Sequence, residues 1–521
     1  MKLNSIVSFR EFKKLNESVS GEVRVRFAPS PTGALHIGGV RTALYNYLFA
    51  KQNGGKNILR IEDTDQTRFV PGAEKYIIES LSWLGITFDE GPHIGGPYGP
   101  YRQSERMDIY IPYVEELINN GKAYYAFDTQ EELEAARMKI DNFQYDSKTR
   151  MSMKNSLTLD PETVKTLLNE RNDWVVRIKF EPNETITVND IIRGIVNVNS
   201  STLDDKVLFK AKDNLPTYHL ANIVDDHTMK ITHVIRGEEW LPSAPLHIYL
   251  YKSFGWNAPQ FAHLPLILKP DGNGKLSKRD GDKFGFPVFP MEWTDPVNPE
   301  KKSMGYKEEG YLPDAVINLL AFLGWNPGTE KEIYTMDDLI KDFDLTRVQK
   351  GGAKFNLDKA KWFNREHMKN EDIDELTKQF IPMLKEKGID MPYDKVKRLV
   401  EIGRGRADFV KDIYDSVSYF FEKPKEYDRK TLRKKWTPTS VQTLLELKDK
   451  LELITDWNET NIQKSFEEFV KEKNLNFGDI GPILRLVMTG LGFGPSIFGI
   501  METIGKEECL NRLKTANDIK K

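Results

Sequence analysis

Two segments that lie far apart in the sequence contain residues able to bind and activate a triphosphate. Residues 29–39 form a loop rich in glycine and proline that contains His36 and precedes a helix-forming run. Free N–H groups at such a helix start, with small glycines beside them, make a phosphate site. Residues 269–279 form a second loop, rich in glycine and lysine, with Lys275 and Lys278. Together, His36 and Lys278 could close on one triphosphate and stabilise the charge that builds on its α-phosphate as an acyl phosphate forms.

Each of these residues alone has an ordinary structural explanation. His36 alone is more typical of a histidine that caps a helix, and Lys275 and Lys278 alone are more typical of a solvated run of charge. The pair favours the functional interpretation, because both segments are expected at the carboxyl ends of strands on the two halves of one split sheet.

A second group of residues could bind an acidic small molecule. Arg26 and Arg236 end predicted strands, where two arginines can hold an acidic side chain through bidentate hydrogen bonds. Glu62 could receive an α-amino group, and Tyr218 belongs to the same group. The alternative is that these residues form structural ion pairs inside the crevice.

A third group, of basic and aromatic residues, lies in the C-terminal part of the chain. Its members are Arg404, Arg406, Lys435, Trp436, Arg485, Phe493 and Pro495. The splayed bases of single-stranded RNA stack on aromatic side chains and are read by arginine. The alternative for each residue singly is exposed charge on helices.

The first elements of the chain should bring the first two groups together. Apolar residues alternate over residues 23–27, which predicts a strand, and a helix is predicted at residues 40–51. Residues 58–65 read as a second buried strand that ends in carboxylates, so a right-handed parallel βαβ unit is expected. Ligands bind at the carboxyl ends of strands in such sheets, so residues 29–39 and 62–65 should line one crevice.

The rest of the chain divides into three patterns. Between about residues 123 and 205 the pattern indicates an inserted module, with β-like runs at residues 174–180, 185–192 and 194–198. The α/β pattern returns at residue 207 and includes a predicted strand at residues 261–268. Residues 281–304 are Pro-rich and indicate a surface insertion, and almost everything after residue 312 is predicted to be helical.

The composition is that of a soluble globular protein with several domains. The chain has 521 residues, 39% hydrophobic and 29% charged, and a net charge of −3. At about 100–200 residues per domain this length predicts three to five domains. No run of about 18 apolar residues exists, which excludes a membrane span. The single cysteine, Cys509, excludes an intrachain disulfide framework and a multi-thiolate zinc site, and it fits a reducing, cytoplasmic compartment.

The loop motifs resemble those of a known family. Residues 27–39 and 275–279 resemble the two motifs of class I aminoacyl-tRNA synthetases, in the forms of the glutamyl branch, the bacterial-type glutamyl-tRNA synthetases. Further matching segments are residues 60–65, 99–106, 216–221 and 234–240. The first motif ends in Gly39 rather than in the second histidine of the class, which is normal for this branch and removes one possible phosphate donor.

The resemblance implies an α/β Rossmann-like catalytic domain with an inserted acceptor-binding module, followed by an all-α C-terminal anticodon-binding region. The implied domain boundaries begin with an N-terminal extension at residues 1–21, the first Rossmann half at 22–122 and the inserted domain at 123–206. They continue with the second Rossmann half at 207–270, the lysine loop and stem-contact region at 271–350, and two helical anticodon-binding domains at 351–430 and 431–521.

The implied reaction is ATP-dependent ligation of L-glutamate to tRNA(Glu) through a glutamyl-adenylate, with release of diphosphate and AMP. ATP would bind with Mg²⁺, activation would depend on bound tRNA, and the protein would be a monomer that binds no membrane. Some family members hold a structural zinc through cysteines in the inserted module. This chain has Ala126 and Asp128 in that neighbourhood, so no zinc is expected.

The resemblance also implies the roles of individual residues. The catalytic residues would be His36 and Lys278. The ATP site would consist of His36, Gly38, Trp240, Lys275 and Lys278. The glutamate pocket would consist of Arg26, Ala28, Ser30, Glu62, Tyr218 and Arg236, with Arg26 and Arg236 as the two possible partners of the substrate's side-chain carboxylate. The anticodon contacts would be Arg406, Arg485 and Pro495.

Several alternatives are weighed against this interpretation. A non-discriminating enzyme would also glutamylate tRNA(Gln), and Arg406 argues against this only weakly. A glutaminyl enzyme is disfavoured because its C-terminal half would form β-barrels, and a shortened paralogue that modifies a tRNA base would lack the residues after about 330. A tRNA-binding module without activity would have lost part of the catalytic set, and no G-x-G-x-x-G motif of a nucleotide-binding oxidoreductase follows the first strand.

Overall fold

The computed structural model describes residues 21–519. The chain forms two compact units that divide between Phe363 and Asn364. Every strand in the described part of the chain belongs to the first unit, and the second unit is helical. The N-terminal extension expected at residues 1–21 lies outside the described residues, apart from Gly21.

The central sheet of the first unit has six strands. The strands of this unit are β1 (Arg24–Phe27), β2 (Lys56–Leu59), β3 (Ala123–Ala126), β4 (Val175–Ile178), β5 (Thr185–Asp190), β6 (Gly194–Asn199), β7 (Val207–Lys210), β8 (Leu215–Pro216), β9 (His233–Gly237), β10 (Gln260–Leu264), β11 (Ile267–Leu268), β12 (Trp293–Thr294), β13 (Lys302–Ser303) and β14 (Ala353–Lys354). The order in the central sheet is β2-β1-β9-β10-β5-β6. All neighbours in it pair parallel except β5 and β6, which form an antiparallel hairpin.

Helices cover this sheet and connect its strands. In the first unit they are α1 (Ile37–Gln52), α2 (Ala73–Trp83), α3 (Met107–Asn119), α4 (Gln130–Lys139), α5 (Pro161–Glu170), α6 (Tyr218–Thr228), α7 (Ala244–Ser253), α8 (Lys278–Phe284), α9 (Tyr306–Glu309), α10 (Pro313–Phe322) and α11 (Met336–Asp342). The predicted βαβ unit is confirmed as β1, α1 and β2, with Arg26 opposite Ile58. The bounds predicted for its second strand, residues 58–65, were wrong, because β2 spans Lys56–Leu59. All four residues of β1 are buried, as expected for a parallel strand that is covered on both faces.

A second, antiparallel sheet has the order β3-β4-β7-β8. The assignment of strands to the two sheets differs from the sequence-based expectation in two places. The β5–β6 hairpin, expected in the inserted module, extends the central sheet through pairing of Asp190 with Phe261. Conversely β7, expected in the second Rossmann half, pairs with β4. Residue alternation identifies a strand but does not identify the strand's partner, so the sequence pattern could not distinguish the two sheets.

The strand predicted at residues 261–268 is interrupted. It forms β10 in the central sheet and the short β11, which pairs with β14 instead. Pro265 lies between them and has no N–H group for a ladder hydrogen bond, so the prediction of one continuous strand was wrong at this residue.

Residues 281–304 are only partly a surface insertion. Phe286, Val288 and Phe289 are buried, and the main-chain carbonyl of Val288 accepts a 2.9 Å hydrogen bond from Ile37 at the start of α1. The tip of the segment carries the β12–β13 ribbon. The first part of this segment therefore packs beneath the loop that contains His36.

The second unit is built from short and medium-length helices. They are α12 (Leu357–Asn370), within which the division between the units falls, α13 (Ile373–Glu386), α14 (Tyr393–Gly403), α15 (Ile413–Val417), α16 (Arg429–Lys435), α17 (Pro438–Glu452), α18 (Glu459–Glu472), α19 (Phe477–Thr489), α20 (Ile497–Ile504) and α21 (Lys506–Lys514). One buried cluster extends from Tyr419 to Ile519 and includes Leu444, Phe466 and Leu484. The all-α prediction is confirmed for this unit, whereas β14 (Ala353–Lys354), inside the predicted limits 351–430, pairs with β11 in the first unit. The individual domain limits remain predictions.

Among residues 21–519, no helix is both long enough and apolar enough to cross a membrane.

Gly55 is a position where the fold leaves no room for a side chain. A Cβ there would overlap the carbonyl oxygen of Val23, just before β1, and backbone atoms cannot move aside without displacing that strand. We expect Gly55→Ala to lower the free energy of unfolding by about 1–3 kcal/mol. The control is Gly351→Ala, because a Cβ there meets nothing within 4 Å. Equal thermal unfolding temperatures for the two variants, measured by circular dichroism, would contradict this packing.

Candidate active site

A cavity of about 580 Å³ lies at the carboxyl ends of β1 and β9. This volume is typical of small-molecule sites. Every residue that the sequence assigned to a small reactant lines it, namely Arg26, Ala28, Ser30, His36, Gly38, Glu62, Tyr218, Arg236, Trp240, Lys275 and Lys278. The loop of residues 29–39 and the loop of residues 269–279, separated by more than two hundred residues, therefore meet at one site.

His36 has both of the properties that the sequence left as alternatives. It is the N-cap of α1, where its Nδ1 accepts a 3.1 Å hydrogen bond from the N–H of Gly38. Its proton is therefore on Nε2, and this atom is buried without a hydrogen-bond partner in the described structure. Burial, with smaller effects from Lys275 and Lys278, lowers the pKa of His36 to about 4. His36, which lines the cavity, thus carries a neutral N–H donor without a hydrogen-bond partner among the described residues.

Lys278 begins α8 and reaches the loop that contains His36. A Cβ added to Gly33 would lie 3.5 Å from the Lys278 Nζ, so that loop and the ammonium group are in contact. The Nζ also lies 5.3 Å from the centre of the Phe289 ring, which makes a T-shaped contact with the ring of His36. Phe289 was not recognised from the sequence, although the aromatic residues in a Pro-rich segment were a usable signal. Lys275 pairs with Glu239 at 2.9 Å in an exposed ion pair.

Arg26 already has a carboxylate partner in the folded chain. Its Nε donates to Asp226 at 3.1 Å, and both side chains are buried. Arg60 also donates to Asp226, at 2.7 Å, and to Glu62, at 3.0 Å. Glu62 accepts a further hydrogen bond from Asn222 at 3.2 Å. The structural ion pairing that was weighed as an alternative is therefore present at this end of the cavity.

The pKa directions in this network follow from burial and from the arginines. Burial raises the pKa of Glu62, and Arg60 and Arg26 act against that increase. For Asp226 burial acts upward as well, but Arg26 and Arg60 together hold the pKa of its carboxyl below the usual value. Sequence reasoning missed Asp226 and Asn222. Both lie on α6, four residues apart and on one helix face, which was the available signal.

Arg236 is surrounded by uncharged hydrogen-bond acceptors. Its Nε donates to His263 at 3.0 Å, and its Nη1 lies 3.2 Å from both the Tyr218 hydroxyl and Nδ1 of His247. Its Nη2 makes a 3.5 Å contact with the carbonyl of Trp240. No carboxylate among the described residues forms an ion pair with Arg236, which is only 5% exposed. Burial lowers the pKa of this guanidinium.

The two ends of the cavity therefore suit different groups of a ligand. The end at His36 and Lys278 presents donors suited to phosphate oxygens. The other end contains Arg236, a buried positive charge that a ligand carboxylate would balance. The rings of Tyr218 and Trp240 also line the cavity, with their centres 4.2 Å apart and their planes tilted by 31°. Burial raises the pKa of Tyr218 to about 12.

A second pair of arginines lies in the helical unit. Arg406 and Arg485 flank the loop at Gly494, since a Cβ there would lie 2.9 Å from Arg485 Nη1 and 3.2 Å from Arg406 Nη2. Arg406 also lies over the ring of Phe493, which is 78% exposed. Within the described chain, neither guanidinium group has a hydrogen-bond or ion-pair partner. Pro495 follows this loop directly.

Three other residues of the basic and aromatic group have structural roles. Trp436 is buried in the helical core and cannot stack on a base. The side chain of Arg404 donates to the carbonyl of Glu371, and that of Lys435 donates to the carbonyl of Gly478. Of the basic and aromatic group, Arg406, Arg485 and Phe493 therefore remain as candidates for an RNA contact, because burial or hydrogen bonding gives Trp436, Arg404 and Lys435 structural roles.

No metal-binding cluster is present among the described residues. In the inserted module Asp128 accepts hydrogen bonds from the Tyr145 hydroxyl, at 2.9 Å, and from the N–H of Lys154, at 2.8 Å. Mg²⁺ needs no preformed cage at a nucleotide site, because it commonly takes most of its ligands from phosphates and water.

The fold and the cavity agree with the families that the chain matches. Residues 22–362 match the catalytic domain of the class I tRNA synthetases for glutamate and glutamine (E and Q), and residues 375–517 match an anticodon-binding domain. The fold and site thus define a class I tRNA synthetase, which uses ATP.

Close relatives narrow the class to one branch. The glutamate–tRNA ligases of Phocaeicola vulgatus and Bacteroides fragilis are each 58% identical over 502 residues, 96% of this chain and 99% of theirs. A crystal structure of a glutamate tRNA ligase from Elizabethkingia meningosepticum, in complex with its amino acid, is 50% identical with a TM-score of 0.86. It covers 96% of this chain and 100% of its own. The chain belongs to the glutamate–tRNA ligase family.

Partly or fully buried histidines of the first unit make stability depend on pH. The pKa values of His36, His219 and His233 are each lowered to about 4, chiefly by burial. The unfolded chain, with histidine pKa values near 6.5, takes up protons first as the pH falls. The free energy of unfolding should therefore fall between pH 6.5 and 4, by about 1–2 kcal/mol per histidine at pH 5.

Urea unfolding at pH 7, 6 and 5 measures this dependence, and His233→Phe should weaken it by removing one titrating group. A free energy of unfolding that stays constant or rises on acidification to pH 5 would contradict the neutral, buried state of these rings.

Proposed function

We propose that the chain joins L-glutamate to tRNA(Glu) through a glutamyl-adenylate formed in the 580 Å³ cavity. The observation that carries this proposal is the environment of Arg236, a buried guanidinium whose hydrogen-bond acceptors are all uncharged. Such a group favours a ligand with a carboxylate on its side chain. A phosphate-binding end in the same cavity, formed by His36 and Lys278, supports ATP as the second reactant.

Glutamate would bind with its side-chain carboxylate on Arg236. Arg26 was the other possible partner, but its ion pair with Asp226 supports Arg236 for this role. Glu62 lines the same cavity and could accept the α-amino group. Glutamine has no charge to balance Arg236, so binding it would leave a buried arginine unpaired, and sites of this kind discriminate strongly.

In the first step, an oxygen of the glutamate α-carboxylate would attack the α-phosphorus of ATP, and diphosphate would leave. The Nε2–H of His36 and the ammonium group of Lys278 would stabilise the charge that develops on the phosphates, as prepositioned donors. Mg²⁺ would enter with ATP and neutralise phosphate charge. In the second step, a hydroxyl of the terminal ribose of the tRNA would attack the glutamyl carbonyl, and AMP would leave.

Arg406 and Arg485 are proposed as contacts to the anticodon, together with Pro495. Two adjacent arginines without acidic partners, next to an exposed Phe493, suit the phosphates and splayed bases of single-stranded RNA. Charging of tRNA(Gln) as well gains no support from the relatives, which are named for glutamate alone.

The reaction is tested by release of diphosphate in the presence of glutamate, ATP and tRNA(Glu). Lys278→Ala should reduce the rate by a factor on the order of 100 or more, because one prepositioned donor is worth about 3–4 kcal/mol. The control is Lys283→Ala, which removes a lysine of the same helix that lies over Phe284. Turnover with glutamine but not with glutamate would contradict the proposed substrate, and an unchanged rate in Lys278→Ala would contradict the role of that lysine.

The RNA contact is tested separately by the tRNA dependence of charging. We expect Arg485→Ala to raise the KM for tRNA(Glu) about tenfold, since a base-contacting arginine is worth about 1–3 kcal/mol. The KM values for glutamate and ATP, measured at saturating tRNA, should stay unchanged. Arg398→Ala, an exposed arginine of the same unit paired with Glu401, is the control. Equal KM values for tRNA in the two variants would refute the contact.

A further inference from the structure

Arg236 belongs to a hydrogen-bonded chain to which three neighbouring strands each contribute one residue. Asp190 ends β5, His263 lies on β10 and Arg236 lies on β9. The strand registers place His263 opposite Arg236 and Asp190 opposite Phe261, two residues before His263. Asp190 Oδ2 lies 2.6 Å from Nδ1 of His263, and Arg236 Nε donates to Nε2 of the same ring at 3.0 Å.

The chain has a fixed direction of proton donation. An arginine N–H can only donate, so Nε2 of His263 must accept and the ring proton must be on Nδ1, facing Asp190. Burial lowers the pKa of His263. The hydrogen bond to Asp190 opposes this and the charge of Arg236 adds to it. The ring is therefore neutral at neutral pH.

Asp190 is itself held rigidly. Its Oδ1 accepts hydrogen bonds from the N–H groups of Ile192, at 3.0 Å, and Arg193, at 2.8 Å, in the turn of the β5–β6 hairpin. The N–H of His263 donates to its carboxylate as well. Neither Asp190 nor His263 lines the cavity, so neither can contact a substrate there.

The histidine separates a negative charge from the guanidinium. A carboxylate in direct contact would hold Arg236 in place but would also neutralise it, as Asp226 does for Arg26. A neutral imidazole fixes the orientation of the guanidinium through one directional hydrogen bond and leaves its charge for a ligand.

We propose that His263 and Asp190 are positioning residues for substrate specificity: Asp190 fixes the tautomer of His263, and His263 fixes the guanidinium of Arg236 for the side-chain carboxylate of the amino acid. This inference rests on the proposed function, in which Arg236 binds that carboxylate. Discrimination between glutamate and its amide would then depend on two residues that touch no substrate.

The test uses the full-length protein, with steady-state kinetics at saturating tRNA(Glu). His263→Phe keeps a ring but removes the acceptor. Asp190→Asn keeps an oxygen for the hairpin turn but puts an NH₂ group opposite Nδ1, which favours the tautomer with an N–H facing Arg236. Both variants should raise the KM for glutamate roughly 10- to 100-fold, the effect of losing one hydrogen bond to a charged group. The KM for ATP should stay within about twofold, because these variants leave the phosphate end intact.

His263→Gln is the conservative variant, since its carboxamide oxygen can accept from Arg236 Nε. It should return the KM for glutamate to within a few-fold of the wild-type value. His233→Phe is the matched control, a buried histidine on the same strand as Arg236 that packs on Phe49 and not on the guanidinium. It should leave the KM for glutamate unchanged.

Three results would overturn the proposal. They are an unchanged glutamate KM in His263→Phe, equal increases in the KM values for glutamate and ATP, and equal effects of the Phe and Gln variants. The Phe–Gln comparison decides the question even if Asp190→Asn fails to fold.

Arg236→Met, measured in parallel, separates this proposal from the proposed function. An unchanged glutamate KM in Arg236→Met would refute the role of Arg236 itself. An increase in Arg236→Met without an increase in His263→Phe would refute only the positioning role.

Discussion

A buried positive charge without a carboxylate partner is unfavourable for a folded chain, because desolvation is not offset by an opposite charge. Arg236 is in this situation at the end of β9, where His263, His247 and Tyr218 satisfy its N–H groups without balancing its charge. The neighbouring groups of the site leave this charge of Arg236 unpaired. A ligand with a carboxylate can form the ion pair with Arg236 that no described residue of the chain forms. The unfavourable burial of the unpaired charge in the free protein therefore favours ligands that carry a carboxylate over ligands that lack one.

The neighbouring arginines show the contrast. Arg26 and Arg60 share Asp226, and Arg60 also pairs with Glu62, so their charges are balanced within the chain. Of these residues, Arg26 and Glu62 line the cavity, together with Arg236, whose charge has no carboxylate partner among the described residues. The end of the cavity that is proposed to bind phosphate has different groups. It contains a neutral donor at His36, the N-cap of α1, and an ammonium group at Lys278, the first residue of α8.

Much of the architecture could be predicted from the sequence. Residue alternation before the Gly/Pro loop, followed by a helical run, correctly predicted β1 and α1, whereas the second strand was predicted at residues 58–65 and spans Lys56–Leu59. The class motifs indicated His36, Arg236 and Lys278, and all three line one cavity. The pairing of distant strands could not be predicted in this way. The β5–β6 hairpin was expected in the inserted module, and only its register with β10 brings Asp190 to His263. Buried partners such as Asp226 were missed because the spacing of Asn222 and Asp226 marks one face of a helix but does not show that arginines of other elements pack against that face.

The central claim is that Arg236 is reserved for the side-chain carboxylate of the substrate. A crystal structure of this protein with L-glutamate tests it most directly. The account predicts that an oxygen of that carboxylate lies within hydrogen-bond distance of Arg236 Nη2, with the Arg26–Asp226 and Arg236–His263 contacts retained. A side-chain carboxylate that pairs with Arg26 after displacing Asp226, or that lies away from Arg236, would contradict the account.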